Sequence, residues 1–458
     1  MSNKKRVLIL GSGFGGLYAA MRLEKAARRR DDLEVILVNR ENFFLFTPML
    51  HEVAASDLDL TNIVSPVRQL LKRVKFFQGE AEAIDLPNKR VTVSHGFDRH
   101  THDLGYDHLI IALGAITNFF NLPGLAERAL TVKTLGDAIY LRNRLIQLLE
   151  EADTECAAGN REPLLTFVVA GGGFAGVETI AGIHDFVCEI LPFYPHVGPK
   201  LVRAVLVHPG KFILPELGEE LGRYAQTKLS ERGVEIRGSS KVTSVTDEGV
   251  KLSDGEFIRT NTLIWTAGTS PNPLLETLPC KKERGRICVN EFLEVPEFPG
   301  VWALGDAALI PDRTTGQHCP PTAQHALREG RVVAHNVLTK LYGGQKKPFA
   351  FGGLGQLAAI GRRTGVAKIF GFKFSGFVAW WMWRTIYLSK LPRFEKKLRV
   401  ALDWTLDLFF SKDMVQFTTV RAPTVSSTEA SPAEATRPVG ENRGEAFCRV
   451  VDRDEKKR

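Results

Sequence analysis

None of the chain's cysteines has a partner at the spacing of a known motif. Cys156, Cys188, Cys280, Cys288, Cys319 and Cys448 are scattered, and no pair has the interval of a redox motif, a zinc knuckle or an iron–sulfur cluster. Disulfide chemistry and metal ligation are therefore not expected. Long apolar runs are missing too: nowhere do about 18 uncharged apolar residues follow one another, as a conventional transmembrane helix requires. The start, MSNKKRVLILGSG, passes into a strand-like run with no h-region and small-residue cleavage site, so no secretory peptide is read. A cytosolic origin fits these absences, and attachment to a membrane surface stays open. Neither sign of charge dominates. Sixty Lys and Arg against 52 Asp and Glu leave a net +8, which suits anionic partners without separating nucleic acid, anionic lipid and nucleotides. At 458 residues and 44% hydrophobic content, the chain is no disordered tail and is expected to form two or three domains.

The strongest signal begins at Val7-Leu8-Ile9-Leu10, a buried-strand pattern. It runs into Gly11-Ser12-Gly13-Phe14-Gly15-Gly16 and then the helical Leu17 to Leu23. Strand, glycine turn and helix together read as a dinucleotide site. The first glycine makes the tight turn, the second lets a pyrophosphate approach the backbone, and the third allows helix and strand to pack closely. The helix then points its free N–H groups at the phosphate charge. A second strand from Leu33 ends at Asn39-Arg40, where the ribose rule expects an acid. Asn39 can bond a hydroxyl, but as a neutral group it should bind less strongly than a carboxylate.

The arrangement recurs. Thr166 to Ala170 leads into Gly171-Gly172-Gly173-Phe174-Ala175-Gly176 and the helical Val177-Glu178, and a following strand from Arg203 ends at His208. Two such units suggest two dinucleotides held by one chain. With His208 in the ribose position the case for strict NAD preference weakens, while NADP would call for an arginine pocket. Tyr106 to Ala115, with Ala112 and Gly114, and Asn261 to Thr269, with Ala267 and Gly268, each read as a strand and a turn. Val301 to Ala308 reads as a strand ending in Gly305-Asp306, with small residues opening a helix and the acid near a cofactor. Residues 151–162 read as a connecting loop before an inserted second domain.

These motifs in this order resemble the two-dinucleotide-binding flavoproteins, and more closely the type II NADH dehydrogenases, single-chain NADH:quinone oxidoreductases that do not pump protons. The resemblance covers roughly residues 5–415. It implies an α/β fold of two Rossmann-like domains, the second inserted into the first, plus a C-terminal membrane-associating region. The FAD domain would comprise 1–150 and 261–345, the NAD(P)H domain 160–260, the quinone-side region 346–415, and a flexible tail 418–458. The FAD contacts it implies are Gly11, Gly13, Phe14, Gly15, Gly16, Asn39, Arg40, Ala112, Gly114, Gly305 and Asp306, with Asp306 facing the ribityl-phosphate region. Around the nicotinamide dinucleotide it places Gly171, Gly173, Phe174, Gly176 and His208, with Glu178 near the nicotinamide end, and Ala267 and Gly268 are further cofactor contacts. The segment Asn42 to Ala54, NFFLFTPMLHEVA, resembles the family stretch that approaches the flavin. Pro320 to Ala326 resembles its Ala-Gln motif, so Ala323 and Gln324 would flank the quinone; the pattern often continues with a second Gln, where this chain has Arg328.

The C-terminal region adds a surface. Residues 361–400 contain ten Lys or Arg against one acid, Glu395. Gly376 to Trp383 is too short to span a bilayer, and a second amphipathic segment covers about Phe394 to Phe410. Apolar, Trp-rich faces bordered by cations suit an anionic leaflet, and the alternative is a helical hairpin packed on its own domain or across a homodimer.

The expected function is thus electron transfer from NADH through non-covalent FAD to a membrane quinone, on the cytoplasmic side of the cell membrane, with NADPH not excluded. Glu178 would be a positioning or electrostatic group, and no metal or nucleic acid is needed. Two alternatives are a soluble NAD(P)H oxidoreductase using a small quinone or protein acceptor, and a flavin-binding interaction or signalling protein.

Overall fold

The computed structural model describes residues 4–314 and 316–417; the tail 418–458, with Cys448, lies outside the described residues. The first strand, β1 (Lys5–Leu10), has no exposure over Val7–Leu10 and passes through the glycine turn into α1 (Phe14–Ala27). There follow β2 (Leu33–Asn39), the short α2 (Leu50–Ala54), β3 (Lys75–Gln78), an antiparallel meander over 80–105, and β4 (His108–Ile111). The long α3 (Leu135–Thr154) leads to a second set: β5 (Thr166–Ala170), α4 (Phe174–Ile190), β6 (Arg203–His208), β7 (Val234–Gly238), a meander over 242–259, and β8 (Thr262–Trp265). The chain then forms β9 (Val301–Ala303) and α5 (Ala323–Tyr342). It ends with β10 (Gly355–Ala359), β11 (Gly365–Ile369), β12 (Phe372–Ser375), α6 (Gly376–Lys390) and α7 (Phe394–Leu406).

The first sheet has the order β9-β4-β1-β2-β3 and the second β7-β6-β5-β8, with every pair parallel. Their Val-, Ile- and Leu-rich centres are covered on both faces, which is why they read as continuous apolar runs. In both sheets the strand entering the glycine turn lies between the next strand and the one that follows the meander. Its carboxyl end is therefore the topological switch point, where such sheets bind ligands. The two chain crossings between the sheets pair with each other as an antiparallel ribbon, Ala115–Thr117 against Thr269–Pro271.

Two local readings need correction. The stretch 151–162 is largely helical: α3 runs to Thr154 and a further helix spans Ala158–Leu165 despite Pro163. Proline removes the hydrogen bond to the carbonyl four residues earlier, and that carbonyl, Gly159 O, instead accepts from Arg259 Nη1 at 3.3 Å. Gly305-Asp306 opens no helix either. It forms a single 3-10 turn, Gly305–Ala307, that leads into the two-residue strand Ala308–Leu309.

Helix α5 returns to lie against α1 at unusually short range. A side chain on Gly330 would collide with the Gly15 carbonyl, and one on Gly15 with Leu304. Gly330→Ala should thus overpack the contact and cost about 1–3 kcal/mol. Denaturant unfolding of the purified protein checks this; unchanged stability would mean the helices can separate freely.

Candidate functional site

Both glycine turns are built alike. Gly11 (φ +96) and Gly171 (φ +122) adopt backbone that disfavours side chains, and a Cβ there would strike Ala112 O or Thr266 Oγ1. Gly16 and Gly176 pack on the carbonyls of Gly11 and Gly171 with no room for a side chain. The central glycines face space instead: nothing lies within 4 Å of a Cβ on Gly13, and only Glu216 Oε1, at 3.9 Å, near one on Gly173. That is the opening a pyrophosphate needs at a helix N-terminus. The residues in the ribose position close the turns. Ser12 N–H donates to Asn39 Oδ1 at 2.8 Å, and Gly172 N–H donates to His208 Nδ1 at 3.1 Å. The imidazole proton of His208 therefore sits on Nε2, and burial lowers its pKa, so the ring is neutral. Asn39 Nδ2 also donates to Glu41 O at 2.8 Å, while Arg40 is exposed beside Glu41.

The Gly305-Asp306 turn lies beside the first site. Gly305 N–H donates to Glu329 Oε2 at 2.8 Å, which ties the turn to the middle of α5. Burial raises the Glu329 pKa to about 7. Asp306 is held high by desolvation, against the pull of Lys133 and Arg286, and its carboxyl meets no hydrogen-bond partner among the described residues. A half-buried carboxyl group of this kind, beside an open glycine turn, fits the hydroxyls of a dinucleotide. Ala112 is buried under the first turn and Gly114 faces open space, whereas Gly268 is exposed beside the half-buried Ala267, and a side chain on it would meet the Phe120 ring.

The helices that follow the two turns begin at one cavity of about 390 Å3. Phe14 opens α1, Phe174 opens α4, and Ala323 and Gln324 open α5; all four line this cavity with Phe46, Pro48, Leu357 and Tyr387. Gln324 Nε2 donates to Gly355 O at 3.3 Å, and its Oε1 accepts from Leu354 N–H at 3.4 Å, which fastens α5 to the C-terminal segment.

Glu178 lines a different space, a cavity of about 50 Å3 shared with His51, Glu52, Asp185 and Arg384. Its Oε1 accepts from Trp383 Nε1 at 2.9 Å and Ala359 N–H at 3.2 Å. Burial raises the Glu178 pKa to about 8 and lowers that of His51 to about 4. Their 3.7 Å approach therefore joins two neutral groups at pH 7 and is not an ion pair. Burial also lifts Glu52 to about 8, and its Oε2 accepts from Trp404 Nε1 at 3.3 Å. Tyr387 joins the two regions: it lines the apolar cavity and meets Trp383 edge-on at 4.8 Å.

Sequence reasoning did not select His51, Glu52, Glu329 or Tyr387 as site residues. His51 and Glu52 lie inside the segment Asn42 to Ala54, so an ionisable pair within an apolar run was the available signal. Nothing in the sequence around Glu329 or Tyr387 marks them, because their roles arise from contacts far along the chain.

Two parallel sheets with matched glycine turns, whose following helices both begin at one apolar cavity, define a two-dinucleotide oxidoreductase. Residues 5–330 match the pyridine nucleotide-disulphide oxidoreductase family, and residues 354–413 match the NDH2 C-terminal domain. The chain is 34% identical over 419 residues to the type II NADH:quinone oxidoreductase Ndh of Mycobacterium tuberculosis, covering 88% of each chain. It is 33% identical to the demethylphylloquinone reductase NdbB of Synechocystis, covering 88% of this chain and 96% of that one. The fold matches NDH2 of Plasmodium falciparum in complex with NADH at a TM-score of 0.83 and 20% identity, over 90% of this chain and 100% of the other. The chain belongs to the type II NADH:quinone oxidoreductases, FAD-dependent enzymes of a single polypeptide.

The buried acids give a pH signature. Glu178 moves from an ordinary value near 4.5 to about 8 on folding, so between those pH values the folded state keeps a proton that the unfolded chain releases. The stability it contributes is complete below 4.5 and is lost as pH rises through 8. Glu178→Gln should flatten that decline, measured as unfolding free energy against pH; an unchanged slope would place the titration elsewhere.

Proposed function

We propose that the chain carries electrons from NADH, through FAD held without a covalent link, to a quinone that enters the apolar cavity at Gln324. The observation that carries this reading is the shared cavity, where the first helical residues of both dinucleotide units, Phe14 and Phe174, meet the start of α5. The Gly11–Gly16 turn and Asp306 would hold FAD, and the Gly171–Gly176 turn would hold the nicotinamide dinucleotide. Bound FAD supplies the two-electron step between hydride donor and quinone. The protein's part is orientation and exclusion of water: helix N-termini fix both pyrophosphates, and apolar walls keep the reacting rings dry. Trp383 and the Ala359 amide position Glu178, which serves as an electrostatic group behind this junction.

NADH is the main donor. His208 is neutral and carries no carboxylate of its own, but Glu216 sets a negative charge beside it that disfavours a 2′-phosphate, so NADPH is the weaker donor.

The quinone arrives from a membrane surface. Among the described residues no helix is long and apolar enough to cross a membrane. Phe370, Phe372, Phe377, Trp381, Phe394, Leu398, Phe409 and Phe410 are exposed. Each basic residue near an anionic leaflet contributes about 1 kcal/mol, and each large apolar side chain taken fully from water about 1.5–3 kcal/mol. A handful of each holds the enzyme at the cytoplasmic face, and a second copy covering the same residues is the competing arrangement.

Anaerobic stopped-flow tests the redox reading. NADH should bleach bound flavin faster than NADPH, and ubiquinone or menaquinone should restore it; failure of either half-reaction rejects this function. Gln324→Ala should slow mainly the quinone half-reaction, and equal loss in both would remove its local role. Trp381→Glu should reduce recovery on vesicles containing phosphatidylglycerol, whereas unchanged recovery counts against that contact face.

A further inference from the structure

One charge on the wall of the apolar cavity has no part in the electron path proposed for it. Arg328 lies one helical turn after Gln324 on α5 and lines the same cavity. Its Nη1 donates to the Gln324 carbonyl at 2.6 Å, and its guanidinium lies 3.8 Å over the Phe351 ring. These contacts fix the plane of a group that carries five N–H donors, and its other donors meet no acceptor among the described residues. Gln324 has less to offer, because both ends of its amide are engaged by Leu354 and Gly355, leaving one N–H. Lys390 is a second cation on the wall, and no carboxylate lines the cavity. Burial and the neighbouring Arg331 lower the Arg328 pKa, yet a guanidinium starts so high that it stays charged.

The chemistry of quinone reduction uses such a charge. A quinone that takes up a hydride equivalent becomes a hydroquinone monoanion, and a proton from water completes the hydroquinone. In total, NADH, one proton and quinone give NAD+ and hydroquinone. The negative charge develops on a ring oxygen inside an apolar cavity, where a preorganised donor is most effective. We propose that Arg328 is a catalytic residue that binds this developing oxyanion, so that the cavity favours the anionic, reduced form of the quinone ring. Gln324 is then the secondary contact. The proposal rests on the cavity being the quinone site.

The test uses FAD-loaded, full-length enzyme and two probes, 2-hydroxy-1,4-naphthoquinone, which is ionised at neutral pH, and its uncharged 2-methoxy ether. Each is titrated calorimetrically into the oxidised protein. The anion should bind about tenfold tighter or more, Arg328→Gln should bring the two affinities together, and Arg328→Lys should keep most of the preference. In stopped flow, Arg328→Gln should slow quinone reoxidation about tenfold while leaving bleaching by NADH within about twofold. A preference unchanged in Arg328→Gln, absent from the unmodified enzyme, or lost equally in Arg328→Lys overturns the proposal. Failure of every quinone to reoxidise the unmodified, NADH-bleached enzyme instead removes the quinone site itself, so the two failures are told apart.

Discussion

The close approach of α1 and α5 is the constraint on which the site depends. Gly330 leaves no room for a side chain between these helices, because the Gly15 carbonyl lies against it. Because α5 runs along α1, its first turn reaches the glycine turn that opens α1, and Ala323 and Gln324 arrive beside Phe14. The same helix supplies Glu329, whose carboxyl group fixes Gly305 and so sets Asp306 at the edge of the site. A wider crossing would detach the α5 wall of the cavity from the glycine turn of α1, although neither segment would itself have changed.

The second unit is fixed to this frame by polar contacts that only the folded chain can make. Glu178 on α4 takes hydrogen bonds from Trp383 on α6 and from the Ala359 amide of β10, and Trp404 on α7 reaches Glu52 on α2. Two buried acids and two indoles thus tie both dinucleotide units to the C-terminal region. A neutral carboxyl group suits such a junction, because an ionised one would carry a desolvation cost that two N–H donors offset only in part. The raised pKa values of Glu52 and Glu178 follow from that burial and accompany the tight docking of the C-terminal helices.

Much of the fold was legible because it is local. Each βαβ unit declares itself within about 30 residues through an apolar run, glycines at fixed offsets and a helical continuation. The three-stranded meanders were not read, although they extend the internal repeat: both interrupt the chain between the third parallel strand and the strand that closes the switch point. Their alternation is diluted by polar residues on one face and by bulges near Ala81 and Thr243. The helical Ala158–Leu165 was hidden by Pro163, whose cost is offset by an arginine a hundred residues away. In the site, glycines could be picked out by spacing and Gln324 only by family resemblance, whereas Glu329, Tyr387 and the Glu52–Trp404 contact depend on distant elements meeting.

The two cavities differ in their acids: no carboxylate lines the larger, and six line the smaller. The larger is walled by Phe14, Phe46, Phe174, Leu357 and Tyr387, an environment that keeps a planar, uncharged ring out of water. The smaller gathers Glu52, Asp57, Glu178, Asp185, Glu189 and Asp407 against Arg362, Arg384 and Lys412. Such a set is stable only if its members are paired, as in the Lys412–Asp57 contact at 2.6 Å, or neutral, as burial makes Glu52 and Glu178. Spread through the larger cavity, these charges would hydrate it and weaken every electrostatic interaction made there. The wall between them is thin. It includes Trp383, which holds Glu178 on one side, and Tyr387, which faces the apolar space on the other. The apolar cavity and the proton-bearing carboxyl group of Glu178 are thereby separated by two aromatic side chains, without the water that would otherwise follow a charge.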